Sequence, residues 1–309
     1  MEHTVSEHVT ELTVLDQDVW QAREQRFQDR VEGFLAPHED RMRAGVPHPV
    51  WDFLFTYYSL KPRQLRRWHP GFGVALRGPS ARRFLDRAGY RSCGDVLTVD
   101  GEFLAARRDT VAFVAELLAA TAARPARLSC FGLHEWAMVY QAPQVRHQRV
   151  PLRLGSSGTD AVVESMPLRC SHFDAYRFFT ESAVPLNAES LSRNTQSASE
   201  QPGCVHANMD LYKWSYKLGP LIESNLVMDC LDLAADARLL DMRASPYDLS
   251  GYGIEPITIE AAAGRSEYVR CQQVIADRAG PLRDVLVERC RSLLARDRDY
   301  PRVSLIDAS

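Results

Sequence analysis

The feature that most constrains the fold is helical periodicity. Residues 107–122 join strong helix formers to an apolar stripe, and residues 220–242 and about 266–296 carry helical patterns of their own. Residues 14–35 add an amphipathic segment with Val14, Leu15, Trp20, Phe27, Val31, Phe34 and Leu35 as its apolar positions, closed by Pro37. Pro49 starts another that carries Trp51, Phe53, Leu54, Phe55, Tyr57 and Tyr58 and stops near Pro62. Residues 79–89 read as helix, and a helix follows Asp210. Strand signals are fewer. LRLGSSGTDAVVES places a Gly-Ser turn between two short strands, and ITIEAAAGRSEYV reads as a hairpin or a strand leading into the last helix. Residues 181–204 form a long polar loop, residues 244–256 a Pro/Gly/Tyr-rich turn region, and the tail after Pro301 is loose. The expected class is mainly α with a few short strands (α+β), as a single compact domain or two closely packed lobes. The lobes would be 1–125, with a basic segment at 61–91, and 126–309, with the His, Asp and Cys clusters.

Composition excludes several alternatives. With 309 residues, 45% hydrophobic and 25% charged, the chain is neither disordered, coiled-coil nor collagen-like. No apolar run approaches the length of about 18 residues that a membrane span needs, and the N-terminus is polar and acidic rather than a secretory signal. The seven cysteines are widely spaced without a CxxC, so free thiols and a cytoplasmic, reducing location are expected. Cys230, Cys271 and Cys290 read as core positions. The net charge of −3 is unevenly spread, because residues 61–91 hold nine Lys/Arg against the single acid Asp86. Such a segment either meets phosphates or pairs with acidic segments elsewhere in the fold.

Five clusters carry chemistry-bearing residues. His69-Pro70-Gly71-Phe72-Gly73 resembles the turn of a helix-hairpin-helix, in which glycines let backbone N–H groups approach a phosphate. Arg66, Arg67, Gly71, Gly73, Arg82 and Arg83 are its phosphate-binding candidates, although Gly78-Pro79 interrupts the second helix such a motif needs. A plain turn is the alternative. Cys130–Trp136 contains adjacent His134 and Glu135 but no HExxH, since Met stands at 138. In Cys170–Asp174, an extended backbone would put His172 and Asp174 on one face. Glu200–Asp210 is the densest polar cluster; a helix would put His206 and Asp210 on one face, or Asp210 would cap it. Asp241–Asp248 packs Asp241, Arg243, Tyr247 and Asp248 into an irregular stretch that lines a pocket mouth or caps a helix.

At SCFGLHEWAMVYQ, RCSHFDAYRFF, EQPGCVHANMDLYKW and LDMRASPYDLSGYG, the chain resembles an actinobacterial family labelled "3-methyladenine DNA glycosylase", over roughly residues 45–295. The resemblance implies hydrolysis of the N-glycosidic bond of an alkylated or modified purine, without a cofactor, on alkylated DNA or a modified nucleoside or nucleotide. It implies aromatic residues stacked on the base, with Trp136, Tyr140, Tyr212, Trp214 and Tyr247 of suitable type. It also implies a carboxylate for the sugar cation, from Glu135, Asp174, Asp210 or Asp248. With the clustering, this selects Glu135, His172, Asp174, His206 and Asp210 as catalytic candidates, and the five rings with Asp248 as substrate contacts. Two alternatives remain open. One is a metal-dependent hydrolase or oxygenase holding Zn or Fe through His172, Asp174, Cys204 and His206. The other is a non-catalytic nucleotide- or nucleic-acid-binding protein acting through residues 61–91.

Overall fold

The computed structural model describes residues 12–143 and 150–296. The tail after Pro301 lies outside them. The chain opens with a short strand, β1 (Thr13–Leu15), and a long helix, α1 (Gln17–Ala44). Two short helices follow, α2 (Phe53–Thr56) and α3 (Pro62–Leu65). The strands β2 (Val74–Arg77), β3 (Tyr90–Cys93) and β4 (Val96–Val99) complete a four-stranded sheet in the order β1-β2-β4-β3. β1 runs parallel to β2, and the other two pairings are antiparallel. The tight Gly94-Asp95 turn joins β3 to β4, with Cys93 opposite Val96 and Gly94 at φ 61°.

The helices that follow, joined by irregular segments, are α4 (Gly101–Ala106), α5 (Arg108–Ala122), α6 (Leu133–Ala137), α7 (Gly155–Ser165), α8 (Phe173–Tyr176), α9 (Gln196–Ser199), α10 (Val205–Leu218), α11 (Ser224–Arg243) and α12 (Ala262–Arg296). α5, α10, α11 and α12 pack on one another, and one hydrophobic core runs from Trp20 in α1 to Leu293 in α12. α10 is buried on nearly every face, so its polar side chains must find partners inside the protein.

The class read from the sequence holds: mainly helical, with a small sheet. Several boundaries differ, each for a physical reason. Val14 and Leu15 belong to a strand, and α1 runs through Pro37 to Ala44. A proline inside a helix costs about 3 kcal/mol because it frees the carbonyl four residues back. Here that carbonyl is on exposed Gly33. Beyond the proline, His38 Nδ1 lies 2.7 Å from Asp52 Oδ1, and Arg41 donates to the same carboxylate at 2.8 Å. These contacts hold the last turn. Gly45 then closes it, with Gly45 N donating to Met42 O and Val46 N to Arg41 O.

Further expectations are corrected. LRLGSSGTDAVVES is not a pair of strands. It forms α7, where Thr159, Val162 and Val163 share one buried face at helical spacing. ITIEAAAGRSEYV forms neither hairpin nor strand but irregular chain and the start of α12. The helix expected after Asp210 begins at Val205, so Asp210 is interior rather than a cap. Residues 79–89 wind as a 3-10 segment over Pro79–Asp86, and the segment from Pro49 yields only α2. The polar stretch 181–204 is punctuated by short helical turns and by α9.

The His69–Gly73 turn is followed by strand β2 and not by a second helix, so it is no helix-hairpin-helix. Its glycines serve a different close approach. A Cβ on Gly71, at φ 94°, would sit 3.2 Å from the Glu223 backbone nitrogen. Phe72 N donates to Leu221 O, and His69 N donates to Ser224 Oγ at 2.8 Å, which docks the turn onto the start of α11. Much of the basic segment is likewise used internally. Arg66 forks between Glu32 (2.6 Å) and Glu39 (2.8 Å), Arg77 reaches Asp16 and Asp95, and Arg83 pairs with Glu24. Arg67 and Arg82 remain exposed.

His69 gives this region a pH signature. Burial, with Arg87 and Arg67 nearby, pushes its pKa from 6.5 down to about 3, and its Nδ1 lies 2.9 Å from the Tyr90 hydroxyl. The unfolded chain therefore takes up a proton that the folded chain refuses. The neutral-imidazole contribution is complete above pH 6.5 and is lost as pH falls toward 3. His69→Gln is expected to flatten the fall in unfolding free energy between pH 6 and 4 by about 1.4 kcal/mol per pH unit. Urea titrations at several pH values measure this, and an unchanged slope would rule it out.

Candidate functional site

The site is built on the buried helix α10. Its residues His206, Asp210 and Lys213 fall on one face at spacings of four and three. Two groups of side chains meet that face.

The first comes from α6 and α11. His134 Nε2 lies 2.7 Å from Asp241 Oδ1, and the other ring nitrogen lies 3.6 Å from Cys130 Sγ. Arg238 donates to Glu135 at 2.9 Å and to Asp241 at 3.2 Å, with its guanidinium 3.9 Å above the Phe53 ring. His206 Nε2 stands 3.9 Å from the second Asp241 oxygen. Adjacent His134 and Glu135 point apart, as neighbours must, yet both reach α11 because Arg238 and Asp241 are one turn apart.

The second group comes from α8 and the residues flanking it, from residues around α9, and from the turn after α2. His172 Nε2 lies 3.1 Å from Asp210 and 3.4 Å from Glu200. Lys213 bridges Asp210 and Asp174, donating to Asp174 at 2.9 Å. Arg177 pairs with the other Asp174 oxygen at 3.1 Å, and Tyr58 donates its hydroxyl to Asp210 at 3.1 Å. The imidazole of His206 joins the groups: its ring centre is 4.4 Å from that of His134 and 5.4 Å from that of His172.

Electrostatics follows from this packing. Glu135, Glu200, Asp210 and Asp241 are buried carboxylates in a region that also buries three permanent cations, Arg238, Lys213 and Arg283, the last bonded to Asn208 of α10. Burial disfavours the charge on His134, but the Asp241 charge and hydrogen bond raise it well above the ordinary range. Burial also opposes the His172 charge, and Glu200 and Asp210 reverse that. His206 goes the other way: burial and the charge on His134 push it down to about 3, so it stays neutral. Burial alone would raise Asp210, but Lys213 and His172 hold it below the usual carboxylate range. For Asp174, burial is likewise outweighed by Lys213, so this carboxylate stays ionised.

A cleft of about 220 Å³ opens onto this network. Phe53, Tyr57, Met138 and Phe178 form its walls, and Glu135, Asp174, His206 and Arg238 line it as well. Phe53 and Tyr57 stack at 4.7 Å and 9°, and the Arg177 guanidinium covers the Phe178 ring at 4.0 Å.

All five catalytic candidates, Glu135, His172, Asp174, His206 and Asp210, thus belong to one network. Three of them line the cleft, while His172 and Asp210 stand behind. The stacking candidates do not line it. Trp136 is fully buried with its N–H on Ala244 O, and Tyr140 bonds Glu164. Tyr212 packs edge-on against Tyr58, and Trp214 packs against Phe113. Tyr247 sits in a separate small core with Val50 and Val139, and half-buried Asp248 accepts from Ser250 N. The rings at the cleft are instead Phe53, Tyr57 and Phe178.

The sequence reading also passed over Arg238 and Lys213, and it used Asp241 only as part of an irregular stretch. One signal was available: charged residues at 238 and 241 fall among buried apolar positions of α11. Cys204 is no nucleophile at rest, because burial pushes its thiol up to about 12. Of the four metal candidates, only His206 belongs to the group whose donor atoms converge. That group is His134, His206 and Asp241, all within 4.8 Å of one another.

Comparison with protein-family models, with curated proteins and with solved structures returned no match. Among the described residues, no helix is long and apolar enough to cross a membrane. The fold and site therefore define a mainly helical protein with a buried histidine–carboxylate network beneath an aromatic cleft.

Proposed function

We propose that the cleft takes a flat nucleobase and that the chain hydrolyses its N-glycosidic bond. The observation that carries this reading is the combination in one small cleft of ring-lined walls with carboxylates at the reacting end. The volume is below the range of about 300–1,000 Å³ common for drug-sized ligands, which suits a base with its sugar at the mouth. Aromatic faces and carboxylates together favour a base carrying positive charge, as an alkylated purine does.

In this reading the base lies against the wall formed by Phe53, Tyr57 and Phe178. Asp174, kept ionised by Lys213 and Arg177, stabilises positive charge as it develops at the sugar carbon and orients the attacking water. The C–N bond breaks with its electron pair going to the base. A cationic base leaves neutral and needs no added proton, while the water delivers its oxygen to the sugar carbon and its proton to Asp174 or solvent. Glu135 is held by Arg238 so that its carboxylate keeps one position beside the cleft.

Internal pairing of Arg66, Arg77 and Arg83 reduces the basic surface of residues 61–91 to exposed Lys61, Arg63, Arg67 and Arg82, and the small cleft favours a free nucleoside or nucleotide over duplex DNA. Chromatography of base released from alkylated purine nucleosides and from methylated duplex DNA tests the reading. The expected result is release by the native chain, faster from the nucleosides. Asp174→Asn is expected to be about 100-fold slower. No release from either substrate, or equal release by Asp174→Asn, would refute the proposal.

A further inference from the structure

We infer that His134, His206 and Asp241 form a site for one divalent transition ion, Zn²⁺ or Fe²⁺, behind the wall of the cleft. The inference does not depend on the glycosidic reading, since it concerns what binds and not what turns over.

The first ground is geometry. Donor atoms about 2.0–2.2 Å from a tetrahedral ion stand about 3.4 Å apart. His134 Nε2 to Asp241 Oδ1 is 2.7 Å and His206 Nε2 to Asp241 Oδ2 is 3.9 Å, values on either side of that spacing. His134 lies at the start of the short helix α6, His206 in the first turn of α10 and Asp241 in the last turn of α11, and all three side chains are buried where these helix ends meet.

The second ground is the surroundings of the donors. A metal-bound imidazole ordinarily uses its other ring nitrogen on a second group that fixes the tautomer. His134 Nδ1 has Cys130 Sγ at 3.6 Å, which leaves Nε2 to face Asp241. Arg238 orients Asp241 through one oxygen at 3.2 Å and ties it to Glu135.

The third ground is the chemistry of the donor set. Two imidazoles and one carboxylate select first-row transition ions over Ca²⁺ or Mg²⁺, which prefer all-oxygen sets. His206 also lines the cleft, so a fourth ligand position toward that side would bring an ion-bound water to the reacting end.

The test is metal uptake by the full chain. Chelator-treated protein is dialysed against Zn²⁺ alone, and separately against Fe²⁺ without oxygen, and bound metal is measured by plasma mass spectrometry. The native chain is expected to retain about one equivalent of one of the two ions. His206→Ala, which leaves the His134–Asp241–Arg238 contacts in place, is expected to fall to background, and Cys204→Ser is expected to retain the ion. Circular dichroism checks that His206→Ala is folded. If it is not, the Co²⁺-loaded native chain decides: nitrogen and oxygen ligands give d–d bands without thiolate-to-cobalt charge transfer. No uptake, uptake unchanged in folded His206→Ala, or a thiolate charge-transfer band would each overturn the assignment.

Discussion

Replacing Arg238 with methionine is expected to lower the unfolding free energy by about 3–5 kcal/mol, measured by urea denaturation of chelator-treated protein. The arginine is only 1% exposed and donates to both Glu135 and Asp241. Methionine keeps much of the stem's volume, so the loss is one of charge and not of packing. Glu135 would lose this cation, Asp241 would keep only the His134 imidazole at 2.7 Å, and the desolvation of the pair would no longer be fully offset. The triple variant Arg238→Met, Glu135→Gln, Asp241→Asn removes the uncompensated charge and is expected to recover most of the loss. A cost of less than about 1 kcal/mol for the single variant would mean that the network is held by something other than this ion pair.

The second large effect is expected far from the cleft. Trp20 is fully buried, stacks at 6.5 Å on Trp68, meets Phe84 edge-on at 5.7 Å, and donates its N–H to Arg77 O at 3.0 Å. It ties α1 to β2 and to the Pro79–Asp86 segment. Trp20→Ala removes the ring, leaves a cavity and strands that carbonyl, with an expected cost of about 3–5 kcal/mol. Because Trp20 touches nothing at the cleft, base release per folded molecule is expected to stay at the native level. Asp174→Asn is expected to do the reverse, keeping most stability and losing turnover. A Trp20→Ala variant that is stable, or one that is folded yet inactive, would contradict this division between the two regions.

Parts of this architecture were legible in the sequence because the relevant interactions are local. The apolar stripe of α5 and the pattern of α11 announce themselves by period. His172, Asp174, His206 and Asp210 were found because each pair sits close in the chain. Other parts were hidden because distant contacts override local signals. Pro37 should end a helix, but Asp52, 15 residues on, holds the turn beyond it. The glycines of α7 look like a turn until Val162 and Val163 are seen to bury together. Gly71 looks like a phosphate-binding glycine, yet the group it admits is the backbone at Glu223. Trp136 and Trp214 attracted attention as large rings, while the cleft uses Phe53, Tyr57 and Phe178, whose placement depends on how α2 meets the chain beyond α8. Arg238 and Asp241 escaped notice because a charged pair inside an amphipathic helix is usually solvated, and here α6 and α10 cover it.

The most direct measurement of the central claim is a crystal structure of the protein soaked with a free N-methylated purine. The account predicts the base against the wall formed by Phe53, Tyr57 and Phe178, with Asp174 and Glu135 at the edge where the sugar bond would lie. A base bound elsewhere, or a cleft that stays empty while the base binds in solution, would contradict it.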